Sequence, residues 1–466
     1  MKTNLLLQKP QLNDLADPLF RPISLGNRYF HQYQTEQNSL EITIAIEGDS
    51  GRIISKKTRI FNENIGHDAE NVMFVERLVK SMLWIYGGFK VYLSMPSSIA
   101  NTIISMYADQ GKRSFDYHFM ERIYEQPLSF VICKDHEMPS PKHHSSDIGK
   151  HLEGYRIGFD AGGSDRKVSA VENGHTVYSE EVIWYPKQNS DPQYHYEGIL
   201  DSIQRAMTYL PRVDAIGVST AGVCIGNRLM VSSLFIQVPE HVFNEKVKNI
   251  YLDIAKSLGD IPIEVANDGE ITALAGSMSM QANRVLGIAM GTSQASGYVD
   301  INGYVTGWLN ELAFVPVDYH PDQWVDPWSK DVGCGVNYFS QDAIIRLAKM
   351  NGLVLDESLS PAEKLVVVQK ALEKHDPIAY KIYQTMGIYL GFGLAYYRDF
   401  FDFEHVMILG RVLSGQGGEI IVSRAQEILK SYFPDISDLI KIHLPDEHNR
   451  RVGQSIAAAS LVKISK

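Results

Sequence analysis

The segment "IGFDAGGSDRKVSAVENG", residues 157–174, constrains the fold more than any other part of the chain. An apolar run ends on Asp160, two glycines and a serine turn the chain, and a second apolar run leads to an Asn-Gly pair. This pattern predicts an antiparallel hairpin. Glycines at its tip, Gly162 and Gly163, let backbone N–H groups approach a phosphate with no Cβ in the way. Asp160 beside an anion makes chemical sense where a cation bridges the two, and Mg²⁺ held largely through water does this. Ser164 adds a hydroxyl donor. A plain hairpin whose glycines only serve the turn accounts for the same residues.

Length and composition bound what can surround this hairpin. A chain of 466 residues exceeds one typical core, so two or three packed units are expected. Apolar content of 44% and charged content of 21% are those of an ordinary globular protein. A net charge of -11 argues against a general nucleic-acid surface. Cys133, Cys224 and Cys334 lie far apart with no C-x-x-C pair, which fits a reduced protein without a disulfide framework. The opening "MKTNLLLQKPQLNDLADP" lacks the apolar length and cleavage site of a signal peptide. No segment approaches the roughly 18 apolar residues of a membrane span. The expectation is a cytoplasmic protein with neither a membrane nor a nucleic-acid partner.

The stretch "HEMPSPKHHSSDIGKHLEG" mixes Pro, Ser, His and Gly without an apolar period and is the best boundary. Its pair His143 and His144 reads as a solvated linker, since no ligands at recognisable spacing accompany it. Before it, "SLEITIAIEGDSGRIISKKTRIF" predicts a hairpin, "NVMFVERLVKSMLWIYG" a helix and "KVYLSM" a strand. Residues 1–150 are therefore an α+β unit, with no helix-turn-helix pattern. From Tyr155 strands and helices alternate: strands in "DAIGVSTAG" and "IPIEVAND", and helices in "FNEKVKNIYLDIAKSLG" and "GEITALAGSMSM". Two long helices around "PAEKLVVVQKALEKH" and "PIAYKIYQTMGIYLGFGLAYYRDFF" then lead to the strand "HVMILG". This is an α/β chain whose strands repeatedly end in glycine turns.

Three further motifs carry chemistry. In "GIAMGTSQASGYV" the turn Gly291, Thr292, Ser293 again follows an apolar strand, and two such turns fit one phosphate site better than either alone. In "IEVANDGEITALAG", Asp268 falls between a strand and a helix. There it is either a helix cap or a general base taking the proton of a hydroxyl that attacks a γ-phosphate, with Asn267 orienting the substrate. In "VMILGRVLSGQGGEIIVSRAQEIL", Gly410, Gly417 and Gly418 allow close approach by a base and ribose. No G-x-G-x-x-G is present there, so a dinucleotide-binding dehydrogenase is a poor reading.

The order of these pieces, with "IGVSTAGVCIGNRLM", "GYVDINGYVTG" and "VGQSIAAASL", resembles the ROK family of sugar kinases, within the superfamily of hexokinase, actin and heat-shock ATPases. The resemblance runs from about Tyr155 to the end. It implies a two-lobed actin-like ATPase (ribonuclease H-like) fold preceded by the α+β unit. The lobes would comprise residues 151–277 with 450–466, and residues 278–449. It further implies ATP and Mg²⁺, a sugar as acceptor, and a homodimer. By the same likeness Asp160 and the Gly162–Ser164 turn form the first phosphate loop, with Asp160 as the metal residue. Gly291–Ser293 is the second phosphate loop, Asp268 the base, and Gly417-Gly418 the adenosine contact. Thr220, Ala221, Gly222 and Glu311 fall where the family contacts its sugar. A non-catalytic sugar or nucleotide sensor is the alternative.

Two departures stand out. The family's histidine and cysteine cluster, which hold structural zinc, are replaced by Phe314 and a lone Cys334, so no zinc is expected. The sugar contact of that histidine goes with it. Asp165 follows Ser164 where a Lys or Asn is usual, adding negative charge beside the phosphates that Arg166 or Lys167 would have to offset. Trp324 and Trp328, in a Pro- and Asp-rich loop, are expected to pin that loop, with stacking on a sugar as the alternative.

Overall fold

A computed structural model describes residues 4–142, 147–445 and 447–464, and the pair His143 and His144 lies outside them. The first predicted hairpin forms from β1 (Ser39–Glu47) and β2 (Ile53–Phe61), with Glu47 opposite Ile53. β3 (Lys90–Ser94) pairs antiparallel on the other side of β1, and β4 (Ser129–Ile132) lies parallel to β3. The helix Asp68–Tyr86 ends at Gly87, whose φ of +71° suits glycine. From Phe74 to Tyr86 every residue of this helix is buried. A helix buried all round needs neighbours on every side. The small sheet supplies one, and the C-terminal half of the chain supplies the other.

The first lobe is a sheet ordered β11-β8-β5-β6-β7. Its strands are β5 (Tyr155–Ala161), β6 (Asp165–Glu172), β7 (His175–Ile183), β8 (Ala215–Thr220) and β11 (Ile263–Asn267). A short hairpin, β9 (Val223–Ile225) with β10 (Arg228–Val231), stands beside them. β5 and β6 pair antiparallel, and the Asn173-Gly174 turn beyond β6 has φ of 47° and 85°, the positive values this dipeptide tolerates. The terminal helix Glu447–Ala459 returns to this sheet. A Cβ on Gly158 would stand 1.8 Å from the Ser455 carbonyl oxygen, and one on Gly217 1.7 Å from that of Ala458. Backbone thus meets backbone. The buried Arg156 guanidinium caps the helix by donating to the carbonyls of Ala459 and Val462.

The helix predicted over "FNEKVKNIYLDIAKSLG" is broken. Phe243–Val247 winds as a wider π turn, and regular α-helix covers Ile250–Ser257. The cause is visible at the break, where the Lys248 carbonyl accepts the Leu229 N–H of β10 at 2.9 Å.

The second lobe has the order β13-β12-β14-β15, from β12 (Val285–Met290), β13 (Gln294–Val299), β14 (His405–Leu409) and β15 (Lys441–His443). The helices Pro361–Glu373 and Pro377–Tyr397 start at Ser360 and Asp376, side-chain caps each followed by proline.

The N-terminal unit does not sit apart from this lobe. Phe20, Phe30, Trp84 and Ile85 share one hydrophobic core with Tyr338, Tyr389 and Phe392, which Val223 and Met230 of the β9–β10 hairpin also join, whereas the first-lobe sheet has its own around Phe159, Val218 and Ile254. The N–H groups of Asn310 and Glu311 donate to the carbonyls of Ile85 and Trp84, each at 2.9 Å. A buried ion cluster fastens the same seam. Asp331 takes Arg77 at 2.6 Å, Arg113 at 2.6 Å and Lys80 at 3.3 Å, while Glu76 and Asp116 pair with Arg113 and Lys80. Burial works against the Asp331 charge, but the three cations hold its carboxyl well below the usual range. Asp331→Ala would leave those cations with one carboxylate too few in a dry interior. A loss of about 3–5 kcal/mol is expected in urea unfolding. A loss under about 1 kcal/mol would show that the seam does not depend on this charge.

Candidate active site

Strand register brings the chemistry to one edge. β5, β8 and β11 run parallel, with Asp160 opposite Ser219 and Asn267 opposite Thr220. Neighbouring strands are about 4.8 Å apart, so Asp160, Ser219 and the Asn267-Asp268 pair line a stretch of roughly 10 Å at the strands' C-terminal ends. This is where ligands bind in open α/β sheets.

Asn267, not Asp268, caps the helix Asp268–Met280. Its Oδ1 accepts the Gly269 N–H at 2.7 Å, and the Glu270 carboxylate returns to the Asn267 N–H. Its Nδ2 donates to the Gly222 carbonyl at 2.7 Å, tying the turn Ala221-Gly222 to the site. Asp268 is thereby released from capping and stands in the first helical turn, where the helix dipole favours an anion. The helix start presses on β13: a Cβ on Gly269 would lie 2.3 Å from the Ser296 carbonyl oxygen. The Ser296 hydroxyl donates in turn to the Asn310 carbonyl. One serine therefore sets Asp268 beside Glu311.

The electrostatics agree with that proximity. Burial first, then the charge of Asp160, pushes the Asp268 carboxyl up to about 6, while Lys187 pulls the other way. Burial and then Asp268 push Glu311 up to about 8. Asp160 is raised by burial and restrained by the Ser219 hydroxyl and Lys167. Asp160 thus acts on Asp268, and Asp268 on Glu311.

The first glycine turn closes over Asp160. The Trp184 indole N–H donates to the Gly162 carbonyl at 2.8 Å and its backbone N–H to that of Ser164 at 3.1 Å, so the turn is held from one side. Asp165 accepts the Ser164 hydroxyl at 3.0 Å and pairs with Lys167 at 3.3 Å. Lys167 is thus the offsetting charge, and Arg166 is engaged with Ser202 and Asp201. The second turn, Gly291–Ser293, leaves Thr292 and Ser293 exposed at its tip. Gly410, at φ +113°, lies against it, since a Cβ there would be 2.1 Å from the Met290 carbonyl oxygen.

Other residues singled out in the sequence have internal duties. The Thr220 hydroxyl accepts from Tyr251 at 2.9 Å inside the first lobe, and Ser219 is the neighbour of Asp160. Gly417 and Gly418 are buried in helix packing, with a Cβ on Gly417 only 2.2 Å from the Tyr383 ring. Phe314 stacks on Trp84 at 4.2 Å. Cys334 is buried beside Asp331 and Ser329. Among the described residues no group of three or more His, Cys, Asp or Glu side chains is placed to hold a metal ion. Trp324 lies under Arg346 at 4.2 Å, while Trp328 is exposed.

Comparison with solved structures decides the architecture. The chain is similar to the ROK hexokinase of Thermus thermophilus at 18% identity and a TM-score of 0.51, over 66% of this chain and 97% of that one. It is similar to a ROK family transcriptional regulator, a homolog of the E. coli MLC protein, at 18% identity and a TM-score of 0.50, over 66% of this chain and 79% of that one. The chain has the ROK fold. No protein-family model matches the sequence, and no curated protein does. No helix among the described residues is long and apolar enough to cross a membrane.

Within this ROK fold, sequence reasoning missed Ser219, Trp184, Ser296 and Lys187. Ser219 was one residue away in a motif already marked. Trp184 and Lys187 lie in "WYPKQNSDP", whose tryptophan and proline after a strand mark a fixed turn but not what it faces.

The raised carboxyls set a pH dependence. The folded state keeps the protons of Asp268 and Glu311 longer than the unfolded chain does. Their stabilising contribution is full below the ordinary carboxylate range and is lost as pH rises through about 6 and about 8. Stability should therefore fall between about pH 5 and 8. Glu311→Gln should flatten that fall by up to roughly 1.4 kcal/mol per pH unit. Identical slopes in urea titrations of the two proteins would exclude the buried proton on Glu311.

Proposed function

We propose that this protein is an ATP-dependent kinase of a sugar or sugar-derivative hydroxyl. The observation that supports this reading is the Asp268 carboxyl, raised by burial and by the charge of Asp160, at the same strand edge from which the glycine turn Gly162–Ser164 leads on beyond Asp160. A carboxylate so placed takes the proton of an alcohol as its oxygen attacks phosphorus. The bond from the γ-phosphorus to its bridging oxygen breaks as the new P–O bond forms, leaving ADP and a phosphorylated sugar with the proton on Asp268. Glu311, still protonated near neutral pH, donates a hydrogen bond to an acceptor hydroxyl and so orients it. Thr292 and Ser293 offer donors to the phosphate chain. Beside Gly415 and the start of the helix Gln416–Tyr432 a cavity of about 600 Å³, lined by His375, Tyr380, Gln416 and Ile420 among others, is large enough for the adenosine end.

Asp160 fits Mg²⁺ as a single buried carboxylate, the donor set expected of an ion held mostly by phosphate and water. When bound, Mg²⁺ supplies positive charge to the phosphates. The chain itself holds Asp160 in place through β5 and shields the crevice from water.

A second reading, a non-catalytic sensor, is favoured by one observation: Phe314 is committed to the aromatic stack with Trp84 and offers the sugar no polar contact. One assay separates the two. Full-length protein with Mg-ATP is offered hexoses, amino sugars and acyl-amino sugars, in parallel with Asp268→Asn. Turnover by the wild type is expected, rising with pH through about 6 as Asp268 ionises. The substitution should cut kcat by about 10²–10⁴-fold with nucleotide affinity kept within a few-fold. Undiminished turnover by the variant would refute the assigned base, and nucleotide binding without turnover on any sugar would establish the sensor.

A further inference from the structure

We propose that Lys187 is the cation that grips the phosphoryl group in transfer, an assignment that rests on the kinase reading. The lysine lies outside both glycine turns, on the short helical turn Pro186–Gln188 that follows β7. That turn is anchored on both flanks. Trp184 donates twice to the Gly162–Ser164 loop, and the Pro186 carbonyl meets Nε2 of the buried His195 at 3.0 Å. The Asn189 side chain donates back to the Tyr185 carbonyl at 2.8 Å. A surface lysine on such a turn has a fixed base even though its head is mobile.

Its head lies over the phosphate loop. Cε and Nζ of Lys187 each stand 3.4 Å from the point a Cβ on Gly163 would occupy. Its charge also reaches Asp268. In an in-line transfer the moving phosphoryl lies between the loop that holds the nucleotide and the base that readies the acceptor. Lys187 borders both. The other cations of the neighbourhood are engaged, Lys167 with Asp165 and Arg166 with Ser202 and Asp201. Lys187 makes no ion pair among the described residues. An ammonium acts as a point charge on phosphate oxygens, which suits a group that spreads charge over three of them as it moves. It also answers the excess of carboxylates in the crevice, because the kinase reading brings in a triphosphate where Asp160, Asp165 and Asp268 are already negative.

The test compares wild type, Lys187→Ala and Lys187→Arg as full-length proteins. Calorimetry gives the affinity for ADP and for a non-hydrolysable ATP analogue with Mg²⁺, and the sugar panel gives kcat. Lys187→Ala should weaken the ATP analogue by about 10-fold or more while ADP stays within about 2-fold, because only the terminal phosphate is in reach. Its kcat should fall by at least about 100-fold, with partial recovery in Lys187→Arg. Unchanged analogue affinity in Lys187→Ala overturns the assignment alone. So does an equal loss of ADP and analogue accompanied by a lower Tm, which marks a structural role. A wild-type protein that binds neither nucleotide overturns the kinase reading and this assignment with it.

Discussion

Carboxyl groups gathered where burial disfavours their charge are the constraint around which the candidate site is arranged. Asp160, Asp268 and Glu311 all lie where burial disfavours their charges, and Asp268 feels Asp160 while Glu311 feels Asp268. Left to relax, such groups would separate or draw in water. They stay because the backbone around them has no room to move. Gly269 meets the Ser296 carbonyl, Gly297 meets the Glu270 backbone, and Gly158 and Gly217 meet the terminal helix, all at distances no Cβ would permit. The helix N-terminus and Lys187 offset part of the repulsion. The remainder is a standing preference for a cation and for hydrogen-bond donors, which the metal-bound triphosphate and polyol of the proposed function would supply.

Much of this was legible in the sequence. The hairpin after Asp160, the strand before Asp268 and the second glycine turn each carry local signals: apolar alternation, Asn-Gly, and an Asn-Asp pair before an alanine-rich helix. Local signals identify residues that end strands, and strand ends are where a parallel sheet gathers its chemistry. Side-chain direction was harder. Thr220 and Ser219 are neighbours in one strand and point to opposite faces: the Thr220 hydroxyl accepts from Tyr251 while Ser219 acts on Asp160, a difference that the motif alone does not carry. Gly417 and Gly418 show the same ambiguity, because glycine suits helix packing as well as a nucleotide. The turn that carries Lys187 had a local signal, but what it faces had none. Its position depends on β7 pairing with β6 at the edge of the sheet that also holds β5, a relation among strands that no short segment contains.

The N-terminal unit was legible in its elements and not in its placement. The hairpin and the helix over residues 68–86 follow from alternation and spacing, yet Glu76, Arg77 and Lys80 look like ordinary solvated positions. Their burial depends on Asp331, some 250 positions away, and on Arg113 and Asp116. Phe314 makes sense in the same light. Beside Trp84, with Phe115 and Phe119 nearby, an aromatic ring fills what would otherwise be a gap in the shared core. The residue was read as a lost ligand. It is also a gained packing contact, and that contact exists only because the N-terminal helix is there.

This asymmetry of packing bears on how a kinase of this shape would close. The N-terminal unit meets the second lobe through core and a buried ion cluster; it meets the first lobe through Val223 and Met230 of the β9–β10 hairpin, which join the same core, and through Glu125, paired with Arg228 at 2.7 Å and Lys248 at 2.9 Å near the surface. The two pairings hold the Glu125 carboxyl down to about 2. Exposed pairs of this kind contribute about 0–1 kcal/mol, whereas separating a buried pair costs several. Where Arg52 of the hairpin turn faces Cys224, Asn227 and Glu264 of the first lobe, there is a cavity of about 260 Å³ in place of packed side chains. The helix that begins at Asp268 is nonetheless pressed against β13, with a Cβ on Gly269 only 2.3 Å from the Ser296 carbonyl oxygen, so Asp268 keeps its place beside Glu311 and a closing motion of the proposed kinase would have to run through the Asp160 side of the site.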